Sequence, residues 1–289
     1  MMTLDDCRRF YADEIRLSAS VRSPALVEAL ARVPREKFLG PPPWQIGSPN
    51  QRALSLAGIG SLNYTTTENP QDVYHNVVIA LDAAHDINNG QPGALATWIE
   101  ALDLKAGDRV YHLGCGVGYY TAIMAEIVGA GGSVVGSEVN ADLAARAREN
   151  LSGYLQVTVQ DGDGAAFDPG DCDAMLINAG VTHPHRAWLE RLREGGRLVL
   201  PITIAATPTV GTGVMVRITR QPGGFSAQIV SAVGIFSCTS GRDPQLEPLL
   251  MKALSSRTLF KLKSVRLDAH EPTDTCILHG SDVCVSSQA

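Results

Sequence analysis

The chain has 289 residues, 24 Lys plus Arg against 30 Asp plus Glu, and a net charge of -6. A chain of this length can bury roughly 75% of the surface it exposes when unfolded, so a sizeable core needs no covalent staples. With 45% apolar and 19% charged residues, disorder and a coiled coil are excluded as the main state, and the acidic balance argues against a nucleic-acid partner. No apolar run approaches the roughly 20 residues of a spanning helix, so no membrane partner is expected. The N-terminal residues carry Asp5, Asp6, Arg8 and Arg9 and no secretory h-region. Six cysteines, at 7, 115, 172, 238, 276 and 284, are too sparse for a disulfide framework, and a cytoplasmic protein with reduced thiols is expected. No pattern fixes an oligomeric state.

In chain order, the sequence predicts helices over 5–17 and 24–33, the second with Ser23 as N-cap and Pro24 at its first position. A loop rich in Pro and Gly follows over 34–60, then a buried apolar stretch over 72–84 and a turn at Asn88-Asn89-Gly90. From Pro92 the pattern alternates. Helices are expected over 94–102, 120–128, 185–192 and one capped by Asn140 with Leu143, Ala144, Ala147 and Leu151 on one face. Strands are expected over 109–113, 133–137, 155–159, 174–177 and 197–201. Such alternation predicts an α/β fold with a doubly wound, mostly parallel sheet. An antiparallel hairpin over 214–219 and 227–235, turning at Pro222-Gly223-Gly224, is placed at its edge. A helix over 245–254 and short strands over 265–267 and 276–279 end the chain. Three regions are expected: an N-terminal helical and loop region (1–91) forming part of the substrate site, a core with the edge hairpin (92–238), and a C-terminal extension (239–289).

The sharpest local feature is a strand running into Gly114-Cys115-Gly116-Val117-Gly118-Tyr119, which opens a helix. Glycines there permit a tight turn and close backbone approach to a ligand, at the point where open sheets bind nucleotides. A dinucleotide fingerprint would place its third glycine at 119, where Tyr119 stands; the spacing G-x-G-x-G is that of S-adenosyl-L-methionine (SAM) methyltransferases. Glu138, at the end of the next strand, can accept hydrogen bonds from both ribose hydroxyls. Asp163, within Gly162-Asp163-Gly164 after the third strand, can accept from an adenine amino group or serve as a turn residue.

In this order of motifs the sequence resembles the protein-L-isoaspartate O-methyltransferases. Val33-Pro34-Arg35-Glu36-Lys37-Phe38 looks like their N-terminal signature and Leu104-Lys105-Ala106-Gly107-Asp108-Arg109-Val110 like the approach to their first motif. Gly114 to Thr121, Gly162-Asp163-Gly164, Asn178-Ala179-Gly180 and the segment from Gly195 to Pro201 continue the match. The resemblance implies a Rossmann-like methyltransferase that binds SAM through Gly114, Cys115, Gly116, Gly118, Tyr119, Glu138, Val139, Asp163, Gly164 and Asn178. Two departures stand out. Where the family carries a Ser or Thr before the core, this chain has Asn88-Asn89-Gly90-Gln91-Pro92, with Gly90 at the hydroxyl's place; where it has an acid in the first motif, this chain has His112.

The resemblance implies carboxyl O-methylation of a protein or peptide, with Gly90, Asn89 and Gln91 as the substrate segment of the catalytic site. Alternatives are methylation of a small molecule or peptide natural product, and a non-catalytic SAM-binding module. A carboxylate acceptor needs no general base, whereas an amine or hydroxyl would, with His75, His85 and His183 as candidates. His183-x-His185, and Cys276-x-x-His279 with Cys284, match no closed zinc spacing, so no metal is assigned.

Overall fold

In the computed structural model, which describes residues 2–48 and 63–289, the chain opens with two helices whose starts follow from their caps. α1 (Leu4–Ser18) begins with a reciprocal capping box between Thr3 and Asp6 and buries Cys7, Tyr11, Ala12 and Ile15 on one face. α2 (Pro24–Arg32) begins where Ser23 accepts the Leu26 N–H. A 3₁₀ turn, Arg35–Phe38, leads to β1 (Trp44–Gly47), followed by β2 (Tyr64–Thr67), β3 (Val78–Asp82) and β4 (Ile87–Asn88). These strands make a small antiparallel sheet in the order β2-β1-β3-β4. The loop expected over 34–60 is therefore interrupted by ordered structure up to Gly47, and its part over 49–60 lies outside the described residues.

The alternating run follows as α3 (Pro92–Leu102), β5 (Arg109–Leu113), α4 (Tyr119–Val128), β6 (Ser133–Glu138), α5 (Ala141–Asn150), β7 (Val157–Asp161), β8 (Cys172–Ile177), α6 (Arg186–Arg191) and β9 (Leu192–Ala205). Then come β10 (Val210–Gln221), β11 (Gly224–Phe236), α7 (Glu247–Ser255), β12 (Ser264–Arg266), β13 (Cys276–His279) and β14 (Cys284–Ser286). By density of contacts the chain divides into two units. The first holds Met1–Gly107 with Cys115–Gly162, the second Asp108–Gly114 with Asp163–Ala289. The boundaries expected at 91 and 238 fall inside them.

In the first unit, β6 and β7 pair in parallel from Val134↔Val157 to Glu138↔Asp161. α5 starts where the Asn140 side chain accepts the N–H groups of Asp142 and Leu143. The strand expected over 155–159 lies two residues later, because Leu155 belongs to the preceding turn and is 97% exposed; an apolar residue alone did not signal burial.

In the second unit the strands run β13-β14-β12-β11-β10-β9-β8-β5. β5–β8 and β8–β9 are parallel, as the doubly wound α/β reading requires, and all pairs from β9 to β13 are antiparallel. The hairpin is longer than expected, turns at Pro222-Gly223, and is not terminal: β12, β14 and β13 continue the sheet beyond β11. β5 and β8 are almost entirely buried, and β8 accordingly shows the apolar run Ala174-Met175-Leu176-Ile177.

His112 lies within β5, and burial pushes its pKa down to about 3. It is therefore neutral in the folded protein at pH 7, whereas an exposed unfolded-state histidine titrates near about 6.5. Between these values the unfolded chain binds the extra proton, so stability falls as pH falls from about 6.5 toward 3. Urea unfolding across this window is expected to show a slope contribution of up to about 1.4 kcal/mol per pH unit that disappears in His112→Leu; an unchanged slope would contradict the assignment.

Candidate active site

The glycine loop leaves β5 with three left-handed residues, Gly114 (φ +75°), Gly116 (φ +57°) and Gly118 (φ +91°). In the first unit, the Glu138 carboxylate at the end of β6 fixes this loop. Its Oε2 accepts the Gly116 N–H at 2.8 Å and its Oε1 the Asn140 N–H at 3.1 Å. The side chain is buried, at 8% exposure. A carboxylate offers about four lone-pair positions, so two backbone donors leave room for further donors. A Cβ at Gly116 would meet nothing within 4 Å, which leaves its backbone accessible to a ligand. Val139 follows Glu138 and is 53% exposed.

Two residues of the expected cofactor set turn their side chains elsewhere. Cys115 packs against Gly136, and burial raises its thiol pKa to well above the ordinary cysteine range. Tyr119 is buried, stacks edge-on with Phe38 and Tyr120, and donates to the Tyr11 hydroxyl. Neither side chain faces outward from the loop.

In the second unit, the Asn178 backbone N–H donates to Leu113 O at 2.8 Å and its side-chain amide to Gly114 O at 3.2 Å, which anchors the start of the glycine loop. Asp163 accepts the Ala165 N–H through Oδ1 and the Ser240 hydroxyl through Oδ2. Gly164 is buried, and its carbonyl accepts the Tyr111 hydroxyl at 2.6 Å. Sequence reasoning missed Ser240, for which no local motif gives a signal.

The segment over 88–91, expected to face the substrate, is built around Arg35. This guanidinium is wholly buried and donates to the carbonyls of Val73, His75 and Val77 and to Asn89 Oδ1. Asn89 Oδ1 also accepts the Ile79 N–H at 3.0 Å, so two donors fix its amide orientation. Asn89 is thus a buried brace between Arg35 and β3. Its Nδ2 is buried with no hydrogen-bond partner among the described residues. Gly90 is left-handed at φ +76°, its N–H bonds Asn88 Oδ1 and its carbonyl accepts the Tyr120 hydroxyl. Gln91 caps α3 through its backbone carbonyl. Arg35 was visible only as part of a motif; its hub role was not.

Of the candidate bases, His75 and His85 belong to the first unit and His183 to the second. His75 is exposed, with Nδ1 3.9 Å from Glu14, and His85 bonds Asp82 at 2.7 Å. In the second unit, His183 and His185 line an open cleft of about 280 Å³ with Ser240, Arg242 and Asp282. Burial lowers the pKa of both, and His185 stacks flat on Trp188 at 4.2 Å.

Comparison with known proteins identifies what this arrangement is similar to. The family model for Protein-L-isoaspartate(D-aspartate) O-methyltransferase (PCMT) matches residues 49–236. A protein-L-isoaspartate O-methyltransferase from Ignicoccus hospitalis is 35% identical over 53% of this chain and 71% of its own. Protein-L-isoaspartate O-methyltransferase 1 from Archaeoglobus fulgidus is 31% identical over 70% of this chain and 82% of its own. Among solved structures, a protein-L-isoaspartate O-methyltransferase superposes with a TM-score of 0.65 over 87% of this chain and 70% of its own at 22% identity. A putative one from Plasmodium falciparum, in complex with S-adenosyl-L-homocysteine, reaches 0.59 over 80% and 98% at 16% identity. These structural likenesses support the doubly wound methyltransferase fold.

The backbone at Gly90 gives a direct test. A Cβ there would lie 2.8 Å from Leu95 Cδ2, and a left-handed conformation costs an ordinary L residue roughly 1–2 kcal/mol. Gly90→Ser is therefore expected to lose at least about that much stability in urea titration, and Gly90→Asn less, since Asn tolerates this conformation better. A serine variant as stable as the parent would show that the turn is wrongly described.

Proposed function

We propose, from the premise that the chain belongs to the protein-L-isoaspartate(D-aspartate) O-methyltransferase family and is a SAM-dependent methyltransferase, that it methylates the free carboxylate of an isoaspartyl residue in a protein or peptide. The observation that carries the cofactor half of this reading is the Glu138 carboxylate braced against the glycine loop. SAM supplies a methyl group on a sulfonium, open to in-line displacement. The open space at Gly116 and the spare acceptor positions of Glu138 fit its nucleoside: Glu138 would hold the ribose hydroxyls, with the glycine loop and Val139 beside it. Asp163, Gly164 and Asn178 are proposed as further cofactor contacts on the strength of their motifs.

An isoaspartyl carboxylate is ionised at pH 7, so the proposed acceptor needs no proton removed. Positioning is then the main task, and well-oriented reactants gain about 7–11 kcal/mol over free encounter. Residues 88–91 carry no hydroxyl; Asn89 braces the segment through Arg35 and β3, and the Gln91 amide is the proposed orienting group. That loss favours one second reading, a carboxylate within a peptide natural product. No helix among the described residues is long and apolar enough to cross a membrane. A cytoplasmic setting is proposed from the sparse cysteines of the sequence.

Calorimetry should show SAM binding that Glu138→Ala weakens by about 1.5–3 kcal/mol, as for hydrogen bonds to a charged acceptor. The same variant should lose about 1–3 kcal/mol of stability, because two backbone N–H groups lose their acceptor. Unaltered affinity would remove Glu138 from the site. Labelled SAM offered with an isoaspartyl peptide, its aspartyl counterpart and peptides bearing other carboxylates decides the acceptor. Transfer to the isoaspartyl peptide alone is expected; transfer only to the others, with SAM bound, would favour the second reading.

A further inference from the structure

Four side chains converge in the C-terminal extension, beyond the family match. The potential ligand atoms of His270, Cys276, His279 and Cys284 all lie within 4.8 Å of one another. Strand phase explains how. Residues i and i+3 of a regular strand face opposite sides, so Cys276 and His279 should diverge. The register of β13 on β14, however, pairs Cys276 with Ser286, Leu278 with Val285 and His279 with Cys284, with a bulge at Ile277. The extra residue resets the alternation. Cys276, His279 and Cys284 thereby share one face, while Leu278 and Val285 are buried on the other.

His270 enters from the loop after β12. Its Nδ1 lies 2.8 Å from the Asp268 carbonyl oxygen, which fixes the tautomer and turns Nε2 toward Cys276 Sγ at 3.5 Å. The Thr273 N–H donates to the same sulfur at 3.3 Å, the kind of outer contact that steadies a ligating thiolate. His279 Nδ1 is buried with no hydrogen-bond partner among the described residues, a position at which a buried ring nitrogen ordinarily finds one.

We propose that His270, Cys276, His279 and Cys284 form a structural zinc site. Two sulfurs and two imidazole nitrogens are a tetrahedral zinc set, in which a sulfur and a nitrogen ligand stand about 3.6 Å apart; the His270–Cys276 separation already matches. Four protein donors leave no open position, so the site is structural rather than catalytic. On binding, Zn²⁺ displaces one proton from each thiol, the two imidazoles stay neutral, and nothing is oxidised; the site is then uncharged. Its purpose follows from the strand lengths. β12 and β14 have three residues each and β13 four, too few for independent stability, and a metal that ties strand to loop supplies the missing constraint.

The test uses the full-length protein, purified under reducing conditions with zinc present and dialysed into metal-free buffer. One zinc per chain is expected by elemental analysis, and chelator-stripped protein given Co²⁺ should show the intense visible absorption of tetrahedral cobalt with thiolate charge transfer. The double variant Cys276→Ser, Cys284→Ser should lose both signals. Should it fail to fold, His270→Asn decides, since it changes a loop residue: zinc affinity measured against a chromophoric chelator should fall about tenfold or more, with unchanged circular dichroism. The control His183→Asn, His185→Asn should retain zinc. Absence of stoichiometric zinc in reduced protein, retention by the double cysteine variant, no affinity change in His270→Asn, or a weak octahedral cobalt spectrum would each overturn the site. So would a Cys276–Cys284 disulfide whose reduction yields no zinc uptake.

Discussion

A guanidinium buried among carbonyls, without a carboxylate among the acceptors it contacts, is the constraint on which the N-terminal part of the molecule depends. Removing a charge of this size from water costs several kcal/mol, and only a nearly complete set of acceptors offsets it. Arg35 finds them on Val73, His75 and Val77 and on Asn89, with the Tyr11 ring 5.8 Å away. The chain over 73–77 must therefore turn its carbonyls inward before β3 begins. Asn89, held by Arg35 on one side and by the Ile79 N–H on the other, then fixes where β4 ends. Gly90 takes its left-handed turn as the next residue in that sequence of constraints. The geometry of the segment proposed to face the substrate thus originates in an arginine more than fifty residues away.

Glu138 does the same for the glycine loop with the opposite charge. A single carboxylate accepts backbone N–H groups from the loop and from the start of α5, and charge-assisted bonds of this kind are about twice as strong as neutral ones. These bonds hold the loop backbone in one geometry, and a loop held so carries less ordering cost on binding. Both halves of the proposed reaction therefore rest on positions held by buried charged side chains.

What was legible in the sequence was what repeats or caps. β8 is buried on both faces and shows as an apolar run; Ser23 and Asn140 announce α2 and α5; the glycine loop and Glu138 carry recognisable spacing. β1 and β2 escaped because they are four residues long and mostly half-buried or exposed, so no alternation accumulates. The strand after Tyr154 was placed two residues early because Leu155 is apolar and yet exposed. At Gly90 the sequence shows the missing hydroxyl but not the positive φ, and only the latter explains why serine is a poor fit. The convergence of Cys276, His279 and Cys284 was hidden by a bulge, which no residue spacing encodes.

The end of the family match at residue 236 is not a structural boundary. Within the second unit, β12 pairs with β11 through Phe225↔Val265 and Ser226↔Ser264, so the extension covers an edge that would otherwise present unpaired backbone. Arg242 forms an ion pair with Glu247 and also donates to the Thr203 carbonyl at 3.0 Å and its hydroxyl at 3.1 Å. Glu247 in turn accepts the Ala205 N–H. Ser240 reaches Asp163, and Ser240, Arg242 and Asp282 line one cleft with His183 and His185. Residues on both sides of position 236 therefore share the same hydrogen bonds and the same cleft wall. An extension joined to residues 163–236 this way shapes the surroundings of Asp163.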